Sequence, residues 1–397
     1  MGEPSLGAVR RREKDVKVVL FFVTEDWFFV SHFLDRAMAA RDAGYRVVVL
    51  THVDRMGPVI TGAGLTLMPL ALVRKSRNPL REWLTLLSIY RVYRRERPDI
   101  VHHIAVKPIV YGTIAARWAG VRCIINAPVG LGYAYSGGGS RLVRTLITGL
   151  YRYVMRYPNV RVITENPDDA STLANLGIAS AERITLIRGA GVDLRNFPFC
   201  PESPATPPVV LLAARMLWPK GVGEFVAAAR IVRERGIAAR FQLAGTGDPH
   251  NPRSIGTEQL SEWHESGVIE WLGQRSDMAQ VLADAHIVCL PSFYGEGLPK
   301  VLLEAAATGR ALIATDTRGC REIVVQGENG LRVPIQDPQA LADAIVELIR
   351  QPEERQRMGR AGRRLVEKEF STEHVQRATL AEYARCQAVV GEKRGLM

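Results

Sequence analysis

At 397 residues the chain exceeds the size at which one hydrophobic core usually stops growing, so two domains are expected. Its 47% hydrophobic and 23% charged residues are those of a soluble globular protein, and no uninterrupted apolar run approaches the roughly 18 residues of a membrane span. The net charge of +11 is lopsided: residues 1–200 hold 28 Lys and Arg against 16 Asp and Glu, and the remainder 24 against 25.

In chain order, the apolar run Val16–Val23 ends in Thr24-Glu25-Asp26 without a small-residue cleavage site, which makes it a first strand and not a signal peptide. Further strands are predicted over 45–53, 65–70, 99–105, 122–128, 160–165 and 183–188. Between them, helices are predicted near 29–43, 79–97, 107–119, 141–157 and 167–176. "FPFCPESPATPP" follows, with five prolines that no helix or central strand could absorb. The alternation then restarts with "VVLLAA" (209–214), a helix over 220–235, "RFQLAG", a helix over 257–265, "VIEWLG" and a helix over 276–284. "HIVCLPS", another helix and "ALIATD" continue it, and 353–390 reads as helical. Strand–helix alternation on both sides of a stiff connector implies an α/β protein with two doubly wound parallel sheets. The expected division is a tail over 1–14, a first domain over 15–197, a linker over 198–208, a second domain over 209–371, and a helix and tail over 372–397 packing back toward the first domain.

Between Asp99 and Glu165 there is no acid, whereas Lys107, Arg117, Arg122, Arg141, Arg144, Arg152, Arg156 and Arg161 are there. Such a field suits anionic lipid, a phosphate-bearing substrate or nucleic acid; a solvated basic face is the plain alternative. In "RLVRTLITGLYRYVMRYP" the arginines share a helix with Leu142, Val143, Leu146, Ile147, Leu150 and Tyr151. That mix fits an interfacial amphipathic helix, or equally one packed on the sheet. The five cysteines are scattered and form no CxxC, so neither a disulfide framework nor a zinc site is expected, and a reducing cytoplasm is the natural setting.

Ligands of doubly wound sheets sit outside the carboxyl ends of the strands, which directs attention to two stretches. "AARMLWPKGVGEF" puts Arg215 beyond a strand end and Lys220 at the first turn of the next helix, with Pro219 as helix starter. Two cations at a helix N-terminus, with Gly221 and Gly223 permitting close approach, make a diphosphate seat or else are surface charges near a helix start. In "PSFYGEGLPKVLLEAAATGRALIATD" (291–316), Lys300, Glu304 and Thr308 form a narrow polar stripe on an otherwise apolar helix. The stripe is either a solvent edge or the wall of a cleft in which Glu304 and Glu296 accept hydrogen bonds from sugar hydroxyls.

These residues resemble the retaining glycosyltransferases of family 4, which have the GT-B fold of two Rossmann-like domains facing across a cleft. The matching pieces are "EGLPKVLLEAAATGRALIATDTRGCREIVVQGENGLRVP" (296–334), "AARMLWPKGV" (213–222) and "WLGQRSDM" (271–278). In the first half, "DIVHHIAVKPIVYGTIAARWAGVRCIINAPVGLGY" (99–133) is similar to the subgroup that extends polyprenyl-diphosphate-linked saccharides for exopolysaccharide, capsule or O-antigen. The resemblance implies that Arg215 and Lys220 neutralise the donor diphosphate and that Glu304 binds the ribose. It puts Glu296 close to the transferred sugar, with main-chain contacts from Gly297, Leu298 and Pro299, and gives Gly273, Gln274 and Arg275 to the loop that holds the base. It assigns His102 to the family's histidine after the fourth strand, where many relatives have HxH and this chain has Ile104 in the second position. The loop "PSFYGEGLPK" is one residue longer than the family spacing. On the acceptor side, Asp26, Trp27 and His32 are candidates in "TEDWFFVSH", with Trp27 also readable as core. Lys107 is a candidate for an acceptor phosphate or is a solvated lysine.

The implied reaction transfers sugar from a nucleotide diphosphate, uridine being expected from the subgroup, to a hydroxyl of a lipid-linked saccharide. No cofactor and no metal are expected, since no D-x-D is present. The setting expected is the inner face of an anionic membrane, with peripheral attachment and no nucleic-acid partner. Rival readings are a UDP-sugar epimerase on the same fold and a non-catalytic membrane or nucleic-acid binder. A nicotinamide enzyme lacks its G-x-G-x-x-G after the first strand. The binder lacks stacking aromatics interleaved with its basic residues.

Overall fold

The computed structural model describes residues 16–71, 78–129, 141–204, 206–249, 251–293 and 297–392. It divides into two compact units, Met1–Gly130 with Ser140–Ile187 and Val375–Met397, and Leu131–Gly139 with Arg188–His374. Among the described residues no helix is long and apolar enough to cross a membrane.

The first unit is built on β1 (Val18–Glu25), β2 (Arg46–His52), β3 (Thr66–Pro69), β4 (Ile100–Ile104), β5 (Cys123–Ala127), β6 (Val160–Thr164) and β7 (Ile184–Leu186). They pair in parallel in the order β3-β2-β1-β4-β5-β6-β7. β1, β4, β5 and β6 are buried on both faces, which is why they read as continuous apolar runs and not as alternating ones. Its helices are α1 (Asp26–His32), α2 (Leu34–Asp42), α3 (Gly57–Gly62), α4 (Pro79–Glu96), α5 (Val106–Ala119), α6 (Arg141–Met155) and α7 (Pro167–Asn175). The Asn78 side chain caps α4 by accepting from Leu80 and Arg81 N–H, with Pro79 as the first helical residue. Asn166 caps α7 in the same way through Asp169 N–H. In α6, Tyr151, Val154 and Met155 are buried, while Leu146 and Leu150 on the same helix remain exposed.

The second unit pairs β8 (Val209–Ala213), β9 (Arg240–Ala244), β10 (Glu270–Trp271), β11 (Ile287–Leu290), β12 (Ala311–Thr315) and β13 (Gly330–Val333) in parallel, in the order β10-β9-β8-β11-β12-β13. Covering helices are α8 (Val222–Glu234), α9 (Thr257–Glu265), α10 (Met278–Asp284), α11 (Lys300–Thr308), α12 (Arg318–Arg321), α13 (Pro338–Arg350) and α14 (Pro352–Glu369). The helical stretch at the C-terminus breaks at Phe370–Ser371, after which α15 (Thr372–Glu392) runs on; from Val375 it belongs to the first unit. There Val375, Tyr383 and Cys386 join the core formed by Phe21, Phe29, Phe33 and their neighbours.

The division at Ile187/Arg188 falls ahead of the proline-rich segment expected as a linker. That segment is packed on the second unit. Cys200 N–H donates to the Thr308 carbonyl at 3.1 Å, and the almost fully buried Arg355 and Glu202 side chains pair at 2.9 Å. Buried Arg310 donates to the carbonyls of Cys200, Thr308 and Ala285, so a guanidinium serves as the hydrogen-bonding hub that the prolines cannot supply.

The cysteine expectation is corrected. Cys123 of β5 and Cys386 of α15 are disulfide-bonded, with Cα atoms 5.7 Å apart. Their separation of 263 residues hides the pairing from any spacing rule, because only the packing of α15 on the sheet brings them together. Cysteine usage therefore no longer argues for a reducing compartment.

Among the described residues three non-glycines have positive φ, Arg97, Gln336 and Ala105, and Ala105 lies furthest from the ordinary left-handed region. Ala105, the residue between β4 and α5, has φ 74° and ψ 169°, a region that glycine enters freely and alanine does not. Ala105→Gly should raise the unfolding free energy by about 1 kcal/mol, the relief of strain exceeding glycine's extra unfolded-state entropy. The urea midpoint is the readout, and a midpoint at or below that of the unaltered chain would mean the strain is not there.

Candidate active site

In the second unit the first strand, β8, lies between β9 and β11, so the chain winds outward from β8 in both directions. The place where strand order reverses leaves a crevice at the carboxyl ends of β8 and β11, the usual ligand position of such a sheet. The loop after β8 carries Arg215, makes a short 3-10 turn over Trp218–Lys220 and enters α8 through Gly221. Gly221 has φ 76°, and a Cβ there would lie 2.1 Å from the carbonyl oxygen of Pro291. No other residue fits, and the absent side chain lets the start of α8 touch the loop after β11.

That contact is reinforced. The Pro219 carbonyl accepts from Ser292 Oγ and from Phe293 N–H, each at 3.1 Å, and Thr315 Oγ1 at the end of β12 donates to the Ser292 carbonyl. Three strand ends are thus tied into one rim, at which the N-termini of α8 and α11 lie. Unpaired N–H groups at helix starts favour anions.

Arg215 is half exposed and pairs with Asp248 at 3.2 Å. Asp248 was not singled out in the sequence: it lies in the loop after β9, where its N–H donates to Ser254 Oγ at 2.8 Å. Lys220 is half-buried at the rim. Gly273 turns with φ 66° after β10, and its carbonyl accepts from Gly245 N–H at 2.7 Å. Thr246 Oγ1 donates to the Gln274 side chain at 3.3 Å, and Arg275 pairs with Asp277 at 2.5 Å. The loops after β9 and β10 are therefore joined at the same end of the sheet as Arg215.

On α11, Leu298 before the helix packs against Gly189, and Pro299 occupies the N-cap. Glu304 sits one turn in, its side chain 12% exposed and 3.6 Å from Lys300 Nζ. Burial raises its pKa above the usual carboxylate value, and Lys300 only partly offsets this. A largely desolvated carboxylate costs stability unless something else hydrogen-bonds it. Glu296 lies outside the described residues, as do Tyr294 and Gly295 of the lengthened loop.

The first unit treats its candidates differently. Expected after the fourth strand, His102 is the third residue within β4 and fully buried. The two-residue period of a strand sends His102 and His103 to opposite faces. His102 Nδ1 bonds Tyr383 Oη at 3.0 Å between the rings of Phe21 and Phe33, and its buried Nε2 has no hydrogen-bond partner among the described residues. His103 bonds Tyr93 Oη at 3.0 Å and Asn126 Oδ1 at 2.9 Å. Burial, with Arg36 adding to it, holds His102 well below the usual imidazole range, and burial takes His103 down to about 4. Both are neutral core histidines here.

Asp26 is also buried, its carboxylate accepting from the N–H groups of Trp27, Asp54 and Met56 at 2.7–2.8 Å. It latches the loop after β2 to the start of α1. Trp27 is 38% exposed and meets Phe28 edge to face, while His32 stacks on Phe28 at 4.3 Å. Lys107 pairs with Glu82 at 3.0 Å, and Tyr111 donates to the same carboxylate at 2.5 Å. Trp27 and Lys107 thus flank the β1/β4 position where strand order reverses in this sheet. Sequence reasoning passed over Glu165, which follows β6 at the carboxyl end of the sheet. Burial pushes its pKa up to about 7, against the attraction of buried Arg36 and with Asp169 adding to the rise. The one signal available was its place as the first acid after the acid-free stretch.

Two family models match the chain: "Glycosyl transferase 4-like" over residues 18–166 and "Glycosyl transferases group 1" over 207–351. The N,N'-diacetylbacillosaminyl-diphospho-undecaprenol alpha-1,3-N-acetylgalactosaminyltransferase of Campylobacter jejuni is 30% identical over 321 residues, covering 77% of this chain and 82% of that protein. The UDP-Gal:alpha-D-GlcNAc-diphosphoundecaprenol alpha-1,3-galactosyltransferase of Escherichia coli is 24% identical over 277 residues, covering 67% and 70%. Among solved structures, Anabaena HepE in complex with UDP-glucose superposes with a TM-score of 0.74 at 18% identity, over 93% of this chain and 99% of that one. The sucrose-phosphate synthase of Thermosynechococcus elongatus gives 0.76 at 20% identity, over 94% and 100%. At such identities the structural likeness concerns the fold, whereas the Campylobacter relative carries the family. The two doubly wound sheets, the two halves matched by their respective models and that relative together make this chain a member of the group 1, family 4-like glycosyltransferases of the GT-B fold.

Proposed function

We propose that the enzyme moves a sugar, with retention of anomeric configuration, from a nucleotide diphosphate to a hydroxyl of a polyprenyl-diphosphate-linked saccharide. The observation that carries the reading is the rim of the second unit, where Arg215, Lys220 and two helix starts gather at the point of strand-order reversal. The leaving diphosphate takes its place there, with Glu304 accepting from the ribose hydroxyls and Gly273, Gln274 and Arg275 beside the base. Uridine is the base we favour, on the strength of the relative named for UDP-Gal. Glu296 and the Gly297–Pro299 main chain attend the transferred sugar. A lipid-linked saccharide acceptor is supported by the diphospho-undecaprenol-linked sugars named for both relatives, and we place that saccharide in surface-polysaccharide assembly. The working site is the inner face of an anionic membrane, met by the basic first unit, and no nucleic acid takes part.

No protein nucleophile is invoked. As the glycosidic bond to the diphosphate lengthens, negative charge grows on the departing oxygen, and two fixed cations and oriented N–H groups stabilise it more than they stabilise the bound donor. That oxygen then takes the proton of the acceptor hydroxyl arriving on the same face. His102, buried in its strand, holds a positioning role through Tyr383 and does not touch substrate, and Asp26 likewise holds its loops. On the acceptor side Trp27, His32 and Lys107 remain the contacts proposed.

Lys220→Ala and Arg215→Ala should each lower turnover by ~10²-fold or more, in line with the loss of a preorganised donor to developing charge. Product formation measured with donor and a lipid-linked saccharide decides it, and near-normal turnover in either variant would sink the assignment. Activity should survive EDTA, since the cations carry the charge; strict metal dependence would contradict this mechanism. Incubation with donor alone should yield no epimerised sugar.

Glu304→Gln separates binding from stability. The raised carboxyl pKa means that the folded state holds its proton more tightly than the unfolded chain does. The associated stability is present below the unfolded pKa of about 4.3 and is lost as pH rises through the higher folded value. Glutamine has no charge to desolvate, so the variant's stability advantage should widen with pH while its donor affinity falls. Thermal melting across pH, with and without nucleotide sugar, reads both; a variant less stable than the parent at neutral pH, with unchanged affinity, would refute the role.

A further inference from the structure

Among the described residues of the first unit, the exposed aromatics apart from Trp27 fall on or just beyond three helices, α4, α5 and α6. Trp83 of α4 and Trp118 of α5, each about half exposed, meet edge to face at 6.0 Å, and Tyr90 approaches Trp118 at 6.4 Å. Next to Trp118, the Arg117 guanidinium lies 3.2 Å from the centroid of the Tyr157 ring. Arg156 in turn covers Tyr157 and Tyr153 at 5.0 and 4.5 Å. Two clusters of such contacts, Trp83–Trp118–Tyr90 and Arg117–Tyr157–Arg156–Tyr153, are linked through the adjacent residues Arg117 and Trp118 and form a strip from α4 across α5 to just past the end of α6. Exposed Leu80, Leu84 and Leu146 lie on the same three helices.

Where α4 and α5 end, a cavity of about 280 Å³ opens between Tyr93, Arg94, Arg97, Pro98 and the Ala119–Val121 turn that follows Trp118. Arg94 and Arg97 have no carboxylate partner among the described residues. Arg97 is held at φ 46° in the helix C-cap, a conformation suited to glycine, so a cation stands at the cavity where a bare turn would do. The nearby acids are engaged elsewhere: Glu82 by Lys107 and Tyr111, Glu96 by Arg46 and Arg95, and Asp99 by the N–H of Val18. After Asp99 no acid follows until Glu165.

Trp and Tyr rings with an apolar body and a polar edge settle at the headgroup level of a bilayer, and guanidinium forks bind phosphate in two-point fashion. A protein partner or a second copy of this chain would have to supply all the negative charge for this face; an anionic leaflet presents it everywhere. We propose that the strip and the cavity at its end form a docking surface for an anionic phospholipid bilayer, with Arg94 and Arg97 gripping a lipid phosphate while Trp83 and Trp118 enter the headgroup region. The proposal rests on the reading that the acceptor is lipid-linked, and names the surface through which the enzyme reaches it.

Co-sedimentation of the full chain with phosphatidylglycerol-containing vesicles, against pure phosphatidylcholine vesicles, is the test. The parent should sediment with the anionic vesicles alone. The double variants Arg94→Gln/Arg97→Gln and Trp83→Ser/Trp118→Ser should each bind about tenfold more weakly. Both should melt as the parent does and keep its turnover on detergent-dispersed acceptor, because the altered side chains lie at the surface. Parental sedimentation by both variants, indifference of the parent to lipid charge, or loss of self-association in place of vesicle binding would overturn the proposal. If vesicles bind through these residues yet no lipid-linked saccharide is elongated, the acceptor reading falls and the surface stands. Normal elongation with variants that sediment like the parent removes the surface and leaves the acceptor reading intact.

Discussion

A single close approach organises the site of the second unit: the start of α8 rests against the Pro291 carbonyl because residue 221 has no side chain. A β-carbon at that position would need 2.1 Å from a backbone oxygen, which neither partner can yield without parting the strand ends. With glycine there, the loop bearing Arg215 and Lys220 and the loop leading to α11 share a rim. Both helix starts then come to the same crevice. The remaining bonds around Pro219, Ser292 and Thr315 secure an arrangement that the missing Cβ makes possible.

Under the proposed function, the rim accounts for an acid on so apolar a helix as α11. Leu302, Leu303 and the alanines around them are fully buried, and Glu304 shares a helix with them at a cost in desolvation. Among the described residues Lys300 pairs with this carboxylate, and a buried carboxylate with a raised pKa is a frequent feature of functional sites. Lys300, one turn away, limits the penalty without removing it. If Glu304 binds the donor as proposed, stability and binding pull in opposite directions at this residue.

In the first unit, buried polar groups are arranged for internal satisfaction more than for contact. Two adjacent histidines on β4 face opposite ways, and each finds a tyrosine hydroxyl, from α15 on one side and α4 on the other. Arg161 and Glu382 pair on the α15 side as well, and the disulfide joins that helix to β5. The last helix is thus held by an ion pair, a phenol–imidazole bond and a covalent link, each reaching a different strand. What the unit leaves outside is chemically distinct: tryptophans, tyrosines and arginines with few acids among them.

The alternation of strands and helices, the parallel two-sheet architecture and the positions of Arg215, Lys220 and Glu304 could be read from the chain, because period and loop chemistry are local properties. α9 matches its predicted bounds, 257–265, and α4 and α5 fall within a residue of theirs. Local pattern failed where the decisive partner is remote in sequence. It gave His102 a site role without Tyr383, took Lys107 and Asp26 without Glu82 or the Asp54–Met56 amides, and left Cys123 and Cys386 apart. It also cut the chain at its prolines, although Arg310 and Arg355 bind that segment to the second unit. By itself the sequence determined which segments form strands and helices and which residues follow the strand ends, since backbone propensity and periodicity act over a few residues. Which of those residues are exposed, paired or buried was decided only by tertiary structure, because desolvation and partnership depend on groups that meet after folding.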